Sequence, residues 1–182
     1  KSDIMTQHEQ PLWQPSESQI ENAQMTAFMR FVEKNTHPQQ LFNGSYERLH
    51  AWSVGHKEEF WSLLWRFFNV IGNAGQRVLV DGDKMPGAQW FPDATLNFAE
   101  NLLRYRDNRP ALAFNGENGD KSELSYAELY LQVAALASRL KQAGVVAGDR
   151  VAGMLPNCIE TIVAMLATTS LGAVWSSCSP DF

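Results

Sequence analysis

Residues 148–181 constrain the fold most strongly, because a short apolar run, a turn, an apolar helix and a second apolar run follow one another there. The run from Val151 to Leu155 is typical of a strand buried on both faces, and a proline ends it. The nearly continuous apolar stretch Ile159–Ala167 predicts a helix with little solvent-facing surface. Gly172 follows where helices commonly end in a left-handed conformation, and residues 173–176 begin the next strand.

Two helices in this half of the chain have capping signals at their starts. Ser125 and Glu128 have the spacing of a capping box, in which the serine and the carboxylate satisfy each other's backbone N–H groups. Asn157 and Glu160 have the same spacing, so we expect Asn157 to cap the apolar helix.

A further strand is predicted at residues 110–114, upstream of the first capped helix. Residues 110–176 then have the order β-α-β-α-β, which predicts an α/β fold with a parallel sheet and crossover helices. The loop at residues 115–121 is rich in Asn and Gly, and it predicts a hairpin to a short partner strand at residues 122–124.

The first half of the chain differs, since five of the six tryptophans lie at or before residue 90. Ser18 and Glu21 suggest a capping box that opens one amphipathic helix ending near Asn35. An aromatic-rich helical segment of this length cannot bury all its rings within itself, so we expect it to cover another layer. We interpret residues 1–4 as a cloning remnant, 5–95 as a mainly helical cap region, and 96–182 as the start of an α/β domain.

Charge and residue types exclude several classes of function. The net charge of −5 gives no basic footprint for nucleic acid, and the longest apolar run is too short to span a membrane. The four histidines lack metal-binding spacing, and no glycine-rich phosphate loop is present. Cys158 and Cys178 are too few for a disulfide framework, so we interpret them as structural thiols. We predict no catalytic residue, metal site or cofactor site within the chain.

Several short motifs, in their order and spacing, resemble the opening of the adenylate-forming superfamily, which includes acyl-CoA synthetases, luciferases and peptide-synthetase adenylation domains. These motifs are Leu124-Ser-Tyr-Ala-Glu-Leu129, Gly148-Asp-Arg-Val151, Leu155-Pro-Asn157 and Leu171-Gly-Ala-Val174. Within the superfamily, residues 90–103 resemble the entry segment of the short-chain acyl-CoA synthetases. The final stretch Trp175-Ser-Ser-Cys-Ser-Pro-Asp-Phe182 resembles the acetoacetyl-CoA synthetase branch.

The resemblance implies a cytosolic AMP-forming acid–thiol ligase that activates acetoacetate with ATP and Mg²⁺ and transfers it to CoA. It also implies that the family's phosphate loop, adenine-binding motif, ribose-binding aspartate and catalytic lysine would lie beyond Phe182. We therefore expect the chain alone to be inactive and to bind no cofactor. Two alternatives stay open: another short-chain acyl-CoA synthetase, acting on acetate or propionate, and a non-catalytic interaction module.

The resemblance also assigns a substrate-binding role to Ser176, Ser177 and Cys178, because the corresponding turn of related synthetases lines the tunnel for the pantetheine arm of CoA. The carboxyl end of a parallel strand is where α/β sheets place ligands. The alternative is that the serines only satisfy turn backbone. A sheet cut after a few strands exposes an edge and an apolar face, so we expect the chain to self-associate.

Overall fold

The computed structural model describes residues 12–37 and 39–180, and our interpretation of residues 1–4 lies outside this range. The chain divides into two compact units. The first unit contains the described residues up to Asn69 together with Arg77–Pro92. The second contains Val70–Gln76 and the described residues from Asp93 onward. Among the described helices, none has the length and apolar character needed to cross a bilayer.

The first unit is mainly helical. Its elements are α1 (Glu17–Glu21), α2 (Gln24–Asn35), α3 (Tyr46–Gly55), α4 (Lys57–Phe67) and the short antiparallel strands β1 (Leu79–Val80) and β2 (Gln89–Trp90). The prediction of one helix that begins at a Ser18–Glu21 capping box and ends near Asn35 is wrong, because two helices, α1 and α2, cover this stretch. Ser16 caps α1 through a box with Gln19, two residues earlier than expected. The chain then leaves the helix at Asn22, and Ala23 is extended, so a second helix begins at Gln24.

Aromatic rings form much of the core of the first unit. The rings of Phe28 and Phe67 meet edge to face with centroids 5.2 Å apart, and those of Phe42 and Trp52 do so at 5.7 Å. The buried members of this cluster are Phe28, Met29, Val32, Phe42, Leu49, Trp52 and Leu63. Many rings therefore pack against one another within this unit, and the expectation that the unit covers another layer stays a prediction.

The second unit combines helices with two small sheets. Its elements are α5 (Phe98–Leu102), β3 (Pro110–Asn115), β4 (Lys121–Ser125), α6 (Tyr126–Gln142), β5 (Arg150–Met154), α7 (Ile159–Ser170) and β6 (Val174–Cys178). Its core is aliphatic and lies among the helices. The buried members are Ala99, Leu103, Leu129, Val133, Val163, Leu166 and Ala167.

The predicted three-stranded parallel sheet is not formed in the part of the chain that the structure describes. Strands β5 and β6 are a parallel pair, whereas β3 pairs only with β4, in the antiparallel sense. The short connection between β3 and β4 lets β4 fold back along one edge of β3, and no described strand pairs with the other edge. The predicted hairpin is present, and its loop is closed by a bond from Gly116 N–H to the carbonyl of Asp120 at 2.7 Å.

The predicted helix ends are partly right. Ser125 and Glu128 form the expected capping box at α6, and Gly172 has the expected positive φ of 73° after α7. Asn157 does not cap α7, because the helix starts one residue later and Cys158 occupies the cap position without a side-chain hydrogen bond. The hydroxyl of Thr161 instead donates to the carbonyl of Pro156 at 2.7 Å, which ties the first turn to the preceding loop.

Candidate functional site

The three residues assigned to substrate binding lie within strand β6, where a turn was expected. The parallel ladder places Ser176, Ser177 and Cys178 opposite Ala152, Gly153 and Met154. The pairing extends as far as Cys178, because the N–H of Leu155, the residue after β5, donates to the Cys178 carbonyl at 3.3 Å. The structure therefore brings all three residues together in one extended row at the carboxyl end of the pair.

These side chains are available to a ligand. Ser176, Ser177 and Cys178 are all exposed. Among residues 12–37 and 39–180, no protein group hydrogen-bonds to the hydroxyl of Ser176 or Ser177. The serines thus do not satisfy turn backbone in the described structure. Because successive side chains of a strand point to opposite faces, Ser176 and Cys178 share the face of Ala152 and Met154, and Ser177 lies on the other face. On the first face, a free hydroxyl and a thiol can contact the amide groups of an extended, flexible ligand.

One face of the β5–β6 pair is open. Along β5, Arg150, Ala152 and Met154 are exposed, and they alternate with the half-buried Val151 and Gly153. Two large apolar side chains contribute to the exposed surface of the pair, since Met154 is 66% exposed and Val174 is 53% exposed. Parallel sheets are usually covered on both faces. The exposed apolar side chains on this face are therefore typical of a surface that packs against another structural element.

The half-buried face contains a close contact that the sequence analysis missed. A Cβ added to Gly153 would lie 2.6 Å from Cη2 of the Trp175 ring and 3.2 Å from Cζ2. Trp175 pairs directly with Val151, so its ring leans across the ladder onto the diagonal neighbour. Only glycine leaves room for the ring there. The signal available in the sequence was a glycine, Gly153, within one predicted strand and a tryptophan, Trp175, within the next.

The start of α7 faces a small groove of about 310 Å³. The groove is lined by strand β3 and by the residues that begin the helix: Leu112, Ala113, Phe114, Asn115, Asn157, Cys158, Ile159 and Ile162. Cys158 is half-buried, with its Sγ 3.5 Å from the hydroxyl oxygen of Thr161. A backbone N–H of Glu160, and then the Cys158 side chain, hydrogen-bond the Glu160 carboxylate and hold its pKa below the usual value.

A second feature that the sequence analysis missed is the role of Asn97. Its side-chain Oδ1 caps α5 by accepting from Glu100 N–H at 3.0 Å. Its Nδ2 donates to the carbonyls of Thr169 and Ser170 at 3.2 and 3.1 Å, at the end of α7. One amide thus joins the start of one helix to the end of another, just before β6. The capping position of Asn97 was visible in the sequence, but its contact 72 residues away was not.

The histidines do not form a metal site in the described structure. His56 stacks on Trp52 with centroids 5.6 Å apart, and one of its ring nitrogens hydrogen-bonds the Trp52 carbonyl at 3.1 Å. His50 stacks on Tyr46 in the same helix at 6.1 Å. Among the described residues, no group of three or more His, Cys, Asp or Glu side chains is placed to hold a metal ion.

Comparison with known proteins gives two family matches and close relatives. Residues 98–182 match the AMP-binding enzyme family, and residues 46–102 match the acetyl-coenzyme A synthetase N-terminus family. The acetoacetyl-coenzyme A synthetase of Rhizobium meliloti is 45% identical over 179 residues, which cover 97% of this chain and 27% of that protein. A malonamoyl-CoA synthetase of Penicillium aethiopicum is 34% identical over 181 residues, covering 95% of this chain and 24% of the relative.

A solved structure has the same fold. The acetoacetyl-CoA synthetase from Streptomyces lividans superposes with a TM-score of 0.81 at 44% identity. The match covers 95% of this chain and 27% of that one. The chain therefore spans about a quarter of the length of the relatives that it matches.

Proposed function

From its homology over nearly its whole length to the acetoacetyl-CoA synthetases, we propose that this chain is the amino-terminal part of an AMP-forming acetoacetate–CoA ligase. In the whole protein, acetoacetate attacks the α-phosphate of ATP in the presence of Mg²⁺, and pyrophosphate leaves. The thiol of CoA then attacks the acyl-adenylate, the thioester forms, and AMP leaves.

The observation that supports this proposal is the combination of 45% identity across 97% of the chain with a match to AMP-binding enzymes over residues 98–182. The geometry of the second unit agrees with it, because the unit ends in a parallel pair with an open face and a polar carboxyl end.

The test uses a protein that contains this chain and matches the length of its relatives. Formation of AMP is measured with acetoacetate, acetate, propionate and malonamate as the acid, each with ATP, Mg²⁺ and CoA. We expect the highest kcat/KM with acetoacetate. Equal or higher kcat/KM with acetate or propionate would contradict the proposed substrate, and no acid-dependent AMP with any acid would contradict the proposed reaction.

A second candidate substrate has specific support. The malonamoyl-CoA synthetase of Penicillium aethiopicum matches this chain over 95% of its length, although its name indicates a different acyl group. Malonamate and acetoacetate are both short carboxylic acids with a second polar group two carbons away. Preference for malonamate in the same panel would favour this alternative and leave the two-step reaction intact.

We further propose that Ser176, Ser177 and Cys178 border the path of the pantetheine arm. Their exposure and the free serine hydroxyls support this role. A bulky Cys178→Trp change in the longer protein should slow thioester formation more than adenylation, which is measured separately by pyrophosphate exchange. Ser122→Trp is the matched control, because Ser122 is an exposed strand residue of β4. Equal loss in both half-reactions would reject the path.

We also propose that residues 5–95 are a cap region and residues 96–182 are the opening of the AMP-binding domain. The two family matches support a boundary near this position, since they overlap at residues 98–102. Limited proteolysis is expected to cut first between residues 92 and 98. First cleavage inside α6 or α7 would contradict the boundary.

Finally, we propose that the chain self-associates when it is produced alone. The open face with Met154 and Val174 supports this, as does the unpaired edge of each strand in the described β5–β6 pair. Light scattering should give a mass above that of a monomer, and Val174→Lys should reduce it. A clean monomer that binds no apolar dye would reject self-association.

A further inference from the structure

The chain contains three Asn-Gly pairs, at residues 43–44, 115–116 and 118–119. In such a pair the backbone nitrogen of glycine can attack the side-chain carbonyl carbon of asparagine, because no Cβ shields it. A C–N bond forms, the bond to the amide nitrogen breaks, and ammonia leaves with the proton of the glycine N–H. Water then opens the resulting succinimide to aspartate or isoaspartate. The sequence alone gives all three pairs the same reactivity.

In two of the three pairs the N–H of the attacking glycine nitrogen already donates a hydrogen bond. Gly116 N–H donates to the carbonyl of Asp120 at 2.7 Å, and Gly119 N–H donates to the carbonyl of Gly116 at 3.0 Å. The Asn118 side chain is held as well, since its Nδ2 donates to the Asp120 carboxylate at 2.6 Å and its Oδ1 accepts from Asp120 N–H at 3.2 Å. Reaction at Asn115 or Asn118 therefore requires the hairpin loop to open first.

The pair at Asn43 and Gly44 is different. It occupies the middle of a tight turn closed by Ser45 N–H donating to the Phe42 carbonyl at 3.0 Å, with φ of 51° at Asn43 and 72° at Gly44. Two positive φ values are typical of a type I′ turn. Both residues are exposed, and nothing lies within 4 Å of the Cβ position of Gly44. Within the described residues, neither the Gly44 N–H nor the Asn43 side chain has a protein hydrogen bond.

We propose that Asn43 is a site of spontaneous deamidation in the folded protein, ahead of Asn115 and Asn118. In the isoaspartate formed there, the main chain runs through the former side-chain carbonyl and the α-carboxylate is free. This free carboxylate makes the protein a methyl acceptor for the class of enzymes that methylate isoaspartate. The reaction is selective because the Gly44 N–H has no protein hydrogen bond within the described residues and the turn is exposed. The hydrogen-bonded hairpin loop protects the other two pairs.

The reaction has a structural consequence because the next residue toward the amino terminus is a core residue. Phe42 is only 2% exposed, its N–H donates to the Glu33 carboxylate at 2.7 Å, and its ring packs on Trp52. Isoaspartate inserts one extra backbone carbon directly after Phe42. The turn can then no longer hold both the Phe42 ring in the core and the start of α3, so ageing at Asn43 weakens the first unit.

The test compares the three pairs within one molecule. The purified chain is incubated at mildly alkaline pH, and peptide mapping follows the mass increase that replaces each amide with a carboxylate. We expect Asn43 to react faster than Asn115 and Asn118 by about fivefold or more, since one hydrogen bond on the attacking amide is worth about that factor. In concentrated urea the three rates should converge. Reaction at Asn115 or Asn118 as fast as at Asn43 in the folded chain would overturn the proposal.

Variants test the selectivity and its consequence separately. Asn43→Gln should remove most of the methyl acceptance and most of the fall in unfolding midpoint on ageing, and Asn118→Gln should have little effect on either. Asp120→Ala should speed the reaction at Asn118, because it removes the carboxylate that holds the amide. An unfolding midpoint that falls at the same rate in Asn43→Gln would overturn the link between this turn and the core.

Discussion

The two units of the chain hold their cores together in different ways. In the first unit, aromatic rings from α2, α3 and α4 and from the loop at Phe42 meet edge to face across long stretches of sequence. In the second, aliphatic side chains pack among α5, α6 and α7, and each end of α6 has a local signal, the Ser125 capping box and Gly144 with φ of 94°. The first unit therefore depends mainly on contacts between large aromatic rings, and the second on contacts between smaller aliphatic side chains.

The largest effect should follow from removing one ring of the first unit. Phe42→Ala deletes a buried ring and its contact with Trp52, and should lower the free energy of unfolding of that unit by about 3–5 kcal/mol. The neighbouring Leu41 is 60% exposed, so Leu41→Ala should stay within about 0.5 kcal/mol. Chemical denaturation followed by tryptophan fluorescence measures both. Similar losses for the two variants would show that the rings do not dominate this core.

The next effect concerns the close contact between Gly153 and Trp175 in the second unit. Gly153→Ala places a Cβ against the Trp175 ring and should cost about 1–3 kcal/mol, because a packed ring must move. The matched control Ala152→Ser changes the exposed neighbour in the same strand. In the double variant with Trp175→Leu, most of the cost should disappear. Additive losses in that double-mutant cycle would exclude the contact as the cause.

Sequence reasoning succeeded where the signal was local. The Ser125–Glu128 box, the left-handed Gly172 and the 115–121 hairpin each depend on residues a few positions apart. It failed where a partner lay far along the chain. Whether β3 also joins the parallel β5–β6 pair, which it does not in the described structure, depends on tertiary geometry that no local pattern encodes. The same is true of the contact of Asn97 with the end of α7.

The candidate site also combines a feature that was predicted with one that was not. The row of Ser176 to Cys178 was expected from the resemblance, but its place within the strand was not, because the length of a strand depends on the partner it pairs with. Asn157 and Ser18 were assigned as caps one and two residues away from the true caps, Cys158 and Ser16. Each stretch contains several residues whose side chains can cap a helix, and tertiary packing determines which one occupies the cap position.

A smaller effect is expected at the cap of α6. Ser125→Ala should cost about 1 kcal/mol, since the Glu128 N–H loses its partner at the start of a 17-residue helix. Ser16→Ala in the first unit removes the equivalent cap of the five-residue α1, where no residue is buried, and should cost less. Thermal unfolding of both variants tests the difference. A larger loss at Ser16 would contradict the idea that local signals matter most in the second unit.

The smallest effect is one of pH. The backbone N–H of Ser125, and then its hydroxyl, hydrogen-bond the Glu128 carboxylate and lower the pKa of that group. Because the pKa is lower in the folded than in the unfolded chain, the box stabilises α6 above the unfolded pKa, and this contribution is lost as the pH falls through the folded pKa. Glu128→Gln should therefore flatten the acid side of the stability profile.

The first unit supplies the reciprocal variant. Its box pairs Ser16 with the neutral Gln19, so Gln19→Glu should introduce an acid-sensitive step that the natural chain lacks. Unfolding midpoints at a series of acidic pH values measure both changes. An unchanged slope in Glu128→Gln would mean that the capping carboxylate does not govern the acid response of this helix.

The proposal that matters most is that Ser176, Ser177 and Cys178 border the path of the CoA arm in the whole protein. Amide hydrogen exchange in the longer protein, loaded with acetoacetyl-adenylate and compared with and without a non-reactive CoA analogue, tests it most directly. The account predicts slower exchange at Ser176, Ser177 and Cys178 when the analogue binds, with no change at the α6 cap. Unchanged exchange along β6, with protection elsewhere in the protein, would contradict it.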